Sequence, residues 1–153
     1  PFDRVAMDGI ALDHAVLAAG SRRFRVEGVQ AAGQPPRRLA DPRACLEVMT
    51  GAVLPPGCDA VVPVEDLVRD ADWAEVGPGV RAQAWQHVHR QGTDARAGDL
   101  LLAEGALLRA PEVAIVASAG LATVEVTRAP RVAVVSTGDE LVEPGGPVLG
   151  HQV

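Results

Sequence analysis

Hydrophobic and polar residues alternate over short stretches of this chain, and Gly and Pro residues separate the stretches. Residues 24–29 alternate apolar and polar positions, which predicts a half-buried β-strand. Residues 59–64 form an apolar run that predicts another strand, and Pro63 makes it an edge strand or ends it. Residues 72–76 and 85–88 are predicted as two further strands around a turn. This part of the chain is therefore expected to consist mostly of short strands.

The pattern changes in the last third of the chain. A helix is predicted from Pro111 to Ala119, because Pro is tolerated at the first helical position and Gly120 is a suitable residue after its end. Residues 121–127 alternate as a strand would. Residues 131–136 form a nearly continuous apolar run, typical of a strand buried in a parallel sheet. We interpret this run as the first strand of a new α/β domain.

The predicted fold class is α+β, predominantly β. It comprises a short-stranded β domain, a small α/β part and the first strand of a truncated α/β domain. Residues 45–49 remain open at this point, because they are compatible with either a strand or a short helix.

Composition narrows the classes of function. The chain has 153 residues, of which 48% are hydrophobic and only 3% aromatic, so the core must be aliphatic. A net charge of −6 argues against nucleic acid as a partner, and the clustered arginines 22, 23, 25, 37 and 38 are interpreted as solvated loops. No apolar run is long enough to cross a membrane, and no signal peptide is found. Cys45 and Cys58 are expected to be reduced in a cytoplasmic protein. The chain lacks a starting Met and is expected to be a fragment.

Four short segments each place an Asp, Glu or Thr next to a Gly, where the backbone turns tightly and a ligand can approach. They are residues 1–9 (Pro-Phe-Asp-Arg-Val-Ala-Met-Asp-Gly), 49–52 (Met-Thr-Gly-Ala), 92–94 (Gly-Thr-Asp) and 136–141 (Ser-Thr-Gly-Asp-Glu-Leu). Taken alone, Asp8 is more typical of a turn, whereas a Thr50 hydroxyl with free backbone N–H groups could hold an oxyanion. Asp139 and Glu140 follow the predicted strand 131–136, where they could share a Mg²⁺ ion or start a helix.

Other candidates are given structural interpretations. His87 and His89 would share one face of a strand, as zinc ligands can, but a surface pair is favoured because no third His or Cys lies at suitable spacing and Asp94 is the one further candidate partner. Asp59 and Glu65 are interpreted as structural residues, and Asp99 as a turn residue. Nucleotide-binding loops and the serine-hydrolase motif are absent from the sequence.

In this order and with these flanks, the four segments resemble the MoeA family of molybdenum cofactor biosynthesis, which includes the C-terminal region of gephyrin. The resemblance extends from Pro1 to Gly146. Three positions depart from the family pattern: Val5 replaces a common Ser, Ile10 replaces a Tyr or Phe, and Thr93 replaces an acid.

The resemblance implies a molybdopterin molybdenumtransferase, which inserts molybdenum from molybdate into adenylylated molybdopterin, releases AMP and uses Mg²⁺. It implies four catalytic residues, two metal-binding residues and five residues that bind the substrate. The catalytic set is Asp8, Thr50, Asp94 and Glu140; the metal-binding set is Asp139 and Glu140; the substrate-binding set is Thr50, Gly51, Ser136, Thr137 and Gly138.

The resemblance also implies an architecture and partners. Residues 4–89 would form the mostly β domain, 90–129 the returning part of an N-terminal domain, and 130–153 the start of a truncated pterin-binding α/β domain. A homodimer is expected, with other cofactor-biosynthesis proteins as further candidate partners, and the fragment alone is expected to be inactive. Two alternatives stay open: a gephyrin-like scaffold and an inactive paralogue.

Overall fold

A computed structural model describes residues 2–153. Most of its regular elements are short strands, which confirms the predominantly β prediction. In chain order the elements are β1 (Arg4–Val5), β2 (Gly9–Leu12), α1 (His14–Ala18), β3 (Arg23–Gln30), β4 (Cys45–Val48), β5 (Ala60–Pro63), a 3₁₀ turn (Val64–Asp66), β6 (Leu67–Asp70), β7 (Trp73–Val76), β8 (Val88–His89) and α2 (Ala110–Ser118). Neither helix of the described chain has the length and apolarity needed to cross a membrane.

Six of the strands form one sheet in the order β5-β2-β4-β3-β7-β6, and β1 pairs separately with β8. All neighbouring strands are antiparallel except β3 and β4, which run parallel. The β3–β4 register shifts between Val26 and Val29, as expected for a bulge that bends a strand. The predicted strands 24–29, 59–64 and 72–76 are confirmed, and β5 lies at a sheet edge as Pro63 predicts. Residues 45–49, left open by the sequence, form β4.

Alternate residues of the central strands pack into two apolar clusters. Ile10 and Leu12 of β2 join Phe24 and Val62 in the first cluster. Ala11 of β2 belongs to the second cluster, whose buried members are Val5, Ala11, Leu46, Val48, Ala52, Leu54, Cys58 and Val61. Since successive side chains of a strand point to opposite faces, β2 is covered on both sides. The start of β2, at Gly9, is therefore held firmly in place.

The chain folds as two compact units, of which the first ends at Leu101 and the second spans Leu102–Val153. The second unit contains the predicted helix as α2. The Glu112 carboxylate accepts a hydrogen bond from the backbone N–H of Arg109 at 2.9 Å, which stabilises the first turn. Gly120 follows the helix with φ of 80°, a conformation that glycine adopts readily.

The two strands predicted after α2, an alternating one and a buried one, are absent. Residues 121–127 and 131–136 have no strand assignment, and Val132, Val134 and Val135 are 80%, 88% and 79% exposed. An apolar run indicates a buried strand only where neighbouring strands accept its backbone hydrogen bonds. No strand is present across residues 102–153, all of which the structure describes, so this run has no sheet to join.

The predicted strand at 85–88 is also largely wrong. Residues 84–87 form a turn, and only Val88 and His89 are paired in β8. Trp85 and His87 have φ values of 68° and 55°, in the left-handed region that bulky residues rarely adopt. His87 and His89 therefore do not share one face of a strand.

Candidate functional site

The position of Asp8 is set by the next residue, Gly9, where strands β2 and β5 approach each other closely. Gly9 pairs with Pro63 of β5, and a Cβ atom at Gly9 would lie 2.0 Å from the carbonyl oxygen of Val62. Only glycine fits this approach without moving the neighbouring backbone. The start of β2 thus fixes the exposed Asp8 where the chain enters the sheet.

The Asp8 carboxylate is held by Thr50, which follows β4. Oδ1 of Asp8 accepts hydrogen bonds from the Thr50 hydroxyl and from the Thr50 backbone N–H, both at 2.7 Å. These two bonds, with the hydroxyl first, keep the pKa of the Asp8 carboxyl below its usual value, because they stabilise its charged form. Asp8 is therefore an ionised, oriented carboxylate at neutral pH.

The free N–H groups that the sequence predicts around Thr50 are already engaged. The Thr50 N–H and hydroxyl donate to Asp8, and the Gly51 N–H donates to the Val5 carbonyl oxygen at 2.9 Å. A ligand at this position would therefore meet the Asp8 carboxylate, and not a set of free N–H and O–H donors that could bind an oxyanion. The Thr50 and Gly51 donors are therefore not free in this structure, and the roles expected of these two residues stay predictions.

Asp94 lies in the same unit and is held by two cationic or ionisable partners. Its Oδ2 atom accepts from Arg4 Nη2 at 3.2 Å and contacts His89 Nε2 at 3.0 Å. Arg4 and His89 are directly opposite each other in the β1–β8 pair. The side chain of Asp94 is 70% exposed, so this contact leaves the carboxylate accessible.

The segment from Arg4 to Asp8 connects the two carboxylates. Val5 N–H donates to the Ala52 carbonyl and Ala6 N–H donates to the His87 carbonyl, each at 2.9 Å. One segment is thus flanked by the Thr50 turn on one side and the His89 strand on the other. The structure brings three of the four sequence motifs together within the first unit.

A cleft of about 220 Å³ opens beside Asp8. Its lining includes an ion pair between Arg69 Nη2 and Glu47 Oε2 at 2.9 Å. The remaining lining is largely apolar and comprises Gly9, Ile10, Val48, Met49, Val64 and Leu67. A small ligand in this cleft would contact an ionised carboxylate, a charged pair and apolar side chains.

The fourth motif, residues 136–141, lies in the second unit, and its contacts are with residues of that unit. Asp139 and Glu140 are exposed, and the backbone N–H of Leu141 donates to Gly138 O at 3.2 Å to close a turn. The Glu140 carboxylate lies over Gly138, since a Cβ there would be 2.6 Å from Oε1. Ser136 and Thr137 lie in the irregular exposed segment just before this turn.

One cluster was not recognised as a group from the sequence. Asp13, His14 and Asp59 place one ligand atom each within 4.8 Å of one another. Asp59 accepts from the His14 backbone N–H at 2.8 Å and also bonds the His14 ring, while Asp13 accepts from Ala15 N–H at 2.8 Å. These bonds hold the start of α1, which agrees with the structural role predicted for Asp59.

Arg4, His89, Glu47 and Arg69 were also missed as parts of a site. Arg4 and its partner Asp94 are 90 residues apart in the sequence, and Arg69 and its partner Glu47 are 22 residues apart. His89 and Asp94 are only 5 residues apart. The only sequence feature that pointed to His89 was the His87-Val88-His89 pattern, which is interpreted above as a surface pair. His89 contacts Asp94, whereas His87 contacts Gln86 at 3.2 Å.

Comparisons with known proteins agree with this architecture. The family described as MoeA N-terminal region (domain I and II) matches residues 1–120. The chain therefore belongs to the MoeA family, in its N-terminal region. It is 42% identical over 144 residues to a molybdopterin molybdenumtransferase of Synechocystis and 36% identical over 152 residues to one of Haemophilus influenzae.

These alignments cover 94% and 99% of the chain but only 37% of each relative. The chain thus spans little more than a third of the length of the curated relatives it matches. A molybdopterin biosynthesis MoeA protein from Pyrococcus horikosii superposes with a TM-score of 0.78 at 32% identity, over 100% of this chain and 40% of that one.

Proposed function

We propose that this chain is the N-terminal part of a molybdopterin molybdenumtransferase, which inserts molybdate-derived molybdenum into adenylylated molybdopterin and releases AMP. The supporting observation is the Asp8–Thr50 pair, which presents an oriented, ionised carboxylate beside a cleft of about 220 Å³. The names of the curated relatives support the same reaction. Asp8, Thr50, Asp94 and Glu140 are the proposed catalytic residues.

The carboxylates of the proposed site would act on anionic substrates through a bound cation. Molybdate and a phosphate-bearing pterin are both anions, so their approach requires cations and oriented donors. Asp8 positions a water molecule or a cation, and Thr50 fixes the orientation of Asp8. Gly51, Ser136, Thr137 and Gly138 complete the proposed substrate-binding set.

Asp139 and Glu140 are the proposed ligands of Mg²⁺. Both carboxylates are exposed, and none of the ion pairs found among residues 2–153 involves either of them. Mg²⁺ is commonly held by one or two carboxylates together with substrate phosphates and water, so this donor set fits the ion. When bound, Mg²⁺ would neutralise phosphate charge.

The proposal includes an assembly. The full-length protein is a cytoplasmic homodimer that interacts with other proteins of cofactor biosynthesis. Residues 4–89, 90–129 and 130–153 belong to the mostly β domain, the returning N-terminal part and the pterin-binding domain, respectively. The 153-residue chain alone has no transferase activity.

The three departures from the family pattern have structural explanations that favour an enzyme over an inactive paralogue. Val5 and Ile10 are each 1% exposed and pack in the two core clusters. The Thr93 hydroxyl and N–H both donate to the Arg90 carbonyl and stabilise the turn before Asp94. Thr93 replaces an acid of the family pattern, but the four carboxylates of the proposed site, Asp8, Asp94, Asp139 and Glu140, are all present.

The test is molybdenum insertion by the full-length protein with adenylylated molybdopterin, molybdate and Mg²⁺. Asp8→Asn should reduce insertion strongly, to a residual rate that can still be measured, because the ionised carboxylate is lost. Asp41→Asn is the matched control, since Asp41 is exposed and also accepts a backbone N–H, from Arg43 at 2.9 Å, outside the cleft. Absence of insertion by a folded wild-type protein would instead favour a scaffold or an inactive paralogue.

A further inference from the structure

The β1–β8 pair builds a three-residue cluster at Asp94. Antiparallel pairing places Arg4 directly opposite His89, so their side chains are cross-strand neighbours. The loop that follows β8 turns back at Arg90, whose carbonyl accepts both donors of Thr93. This turn brings Asp94 against the two opposite side chains.

The hydrogen bonds of this cluster define which ring nitrogen of His89 is free. Both contacts to Asp94 end on Oδ2: His89 Nε2 at 3.0 Å and Arg4 Nη2 at 3.2 Å. An ionised carboxylate only accepts hydrogen bonds, so Nε2 of His89 carries the hydrogen. In the neutral ring, Nδ1 is then the proton-accepting nitrogen. A base whose second nitrogen is oriented by a carboxylate is a recurring arrangement for proton transfer.

We propose that His89 takes up and returns a proton in the proposed site, and that the part Asp94 plays in catalysis is to orient the His89 ring. The inference rests on the proposed function. In the proposed reaction, molybdenum is inserted into the dithiolene of molybdopterin, and a thiol binds a metal as its thiolate, so the two sulfur groups have to lose their protons before metal insertion. The S–H proton passes to Nδ1 of His89, and the sulfur keeps the bonding electron pair. The imidazolium formed is stabilised by the Asp94 carboxylate, and returning the proton restores the neutral ring.

The location of His89 is compatible with a ligand that also reaches Asp8. Asp8 follows Arg4, the residue opposite His89, by four positions, so at up to about 3.6 Å per residue the Cα atoms of Arg4 and Asp8 are at most roughly 14 Å apart. His89 is half-buried, with a side-chain exposure of 32%, and is thus accessible from solvent. A small molecule can span this distance.

The other charged groups near the β1–β8 pair have separate partners. Asp3 accepts from the Gln91 N–H at 2.7 Å. Arg90 stacks on the Trp85 ring at 4.6 Å, and His87 contacts Gln86. Asp94 and Arg4 are therefore the groups whose charge acts most directly on His89.

The experiment measures molybdenum insertion by the full-length protein from about pH 5 to 9, the range in which an imidazole changes charge. His89→Gln should lower the rate about 100-fold, as is typical when a general acid–base residue is lost, and should remove the inflection due to the imidazole. His89→Arg keeps a donor to Asp94 but cannot accept a proton, so it should not restore the rate. His87→Gln is the control, and it should retain the rate and the pH profile of the wild type.

Several results would overturn the inference while leaving the proposed function intact. One is an unchanged rate and pH profile in His89→Gln; another is full activity in His89→Arg, which would show that a donor to Asp94 suffices. A readout independent of activity is the ¹⁵N NMR spectrum of the 153-residue chain. It should show His89 with its hydrogen on Nε2, and a hydrogen on Nδ1 in the neutral ring would contradict the inference.

Discussion

Asp8 and Thr50, 42 residues apart in the sequence, are joined by two hydrogen bonds that end on one carboxylate oxygen. The Thr50 side chain and backbone thus act on the same atom of Asp8. This arrangement leaves the other oxygen of the carboxylate available to a ligand. Removing the Thr50 hydroxyl should therefore change the ionisation of Asp8 directly.

Thr50→Val should raise the pKa of the Asp8 carboxyl towards its usual value, because the hydroxyl is the main cause of the shift. A carboxyl with a lowered folded-state pKa contributes stability above its unfolded-state pKa, and this contribution is lost as pH falls through the folded-state value. The measurement is a ¹³C NMR titration of Asp8 in wild type and variant. An identical titration in both proteins would contradict the assigned cause.

Gly9→Ala should destabilise the first unit by roughly 1–3 kcal/mol, because the new methyl group meets the Val62 backbone and forces the strands apart. Urea unfolding measures the change. Gly150→Ala is the control, since no atom lies within 4 Å of a Cβ at Gly150. Equal free energies of unfolding for the two variants would contradict this prediction, because they would show that the strands accommodate a methyl group at Gly9 without loss of stability.

Cys45 and Cys58 should react slowly with iodoacetamide at about pH 8 in the folded protein. Burial raises the pKa of both thiols to about 12, so little thiolate is present. Because an unfolded thiol titrates near pH ~8.5, stability should also decline as pH rises from there towards about 12. Labelling in denaturant provides the reference rate, and equally fast labelling of the native protein would contradict the prediction.

Gln30→Leu should cost about 1–3 kcal/mol, although it adds apolar surface. Gln30 is fully buried, and its amide accepts from the Arg37 N–H at 2.6 Å and donates to the carbonyls of Ala31 and Gln34 at 3.2 Å. The substitution leaves the Arg37 N–H and the Gln34 carbonyl without this partner, whereas the Ala31 carbonyl keeps the hydrogen bond from the Gln34 N–H at 3.4 Å. Thermal unfolding should show a lower midpoint than in Gln83→Leu, an exposed control, and a higher midpoint would refute the assignment.

The sequence predicted those elements whose local pattern matches their environment. β3 alternates, β5 is apolar and ends at Pro63, and α2 begins with Pro111 near its start and stops before Gly120. β2 was not predicted, because all four of its residues are buried and it lacks alternation. Residues 131–136 were wrongly predicted as a strand, because an apolar run forms a buried strand only where neighbouring strands are present to pair with it.

The candidate site was only partly predictable. Motif resemblance indicated Asp8, Thr50 and Asp94, but local periodicity gives no information about a hydrogen bond between residues 42 positions apart. The roles of Arg4 and His89 depend on the β1–β8 register, which a two-residue strand hardly encodes. Short strands are fixed by tertiary packing, so their pairings could not be derived from the sequence pattern.

Asp8 and Thr50 are proposed to act as one functional unit in molybdenum insertion. The decisive experiment is a double-mutant cycle on insertion by the full-length protein. We expect that Asp8→Asn combined with Thr50→Val loses no more activity than Asp8→Asn alone, since Thr50 acts through Asp8. Independent losses that multiply in the double variant, in proteins that remain folded, would contradict this coupling.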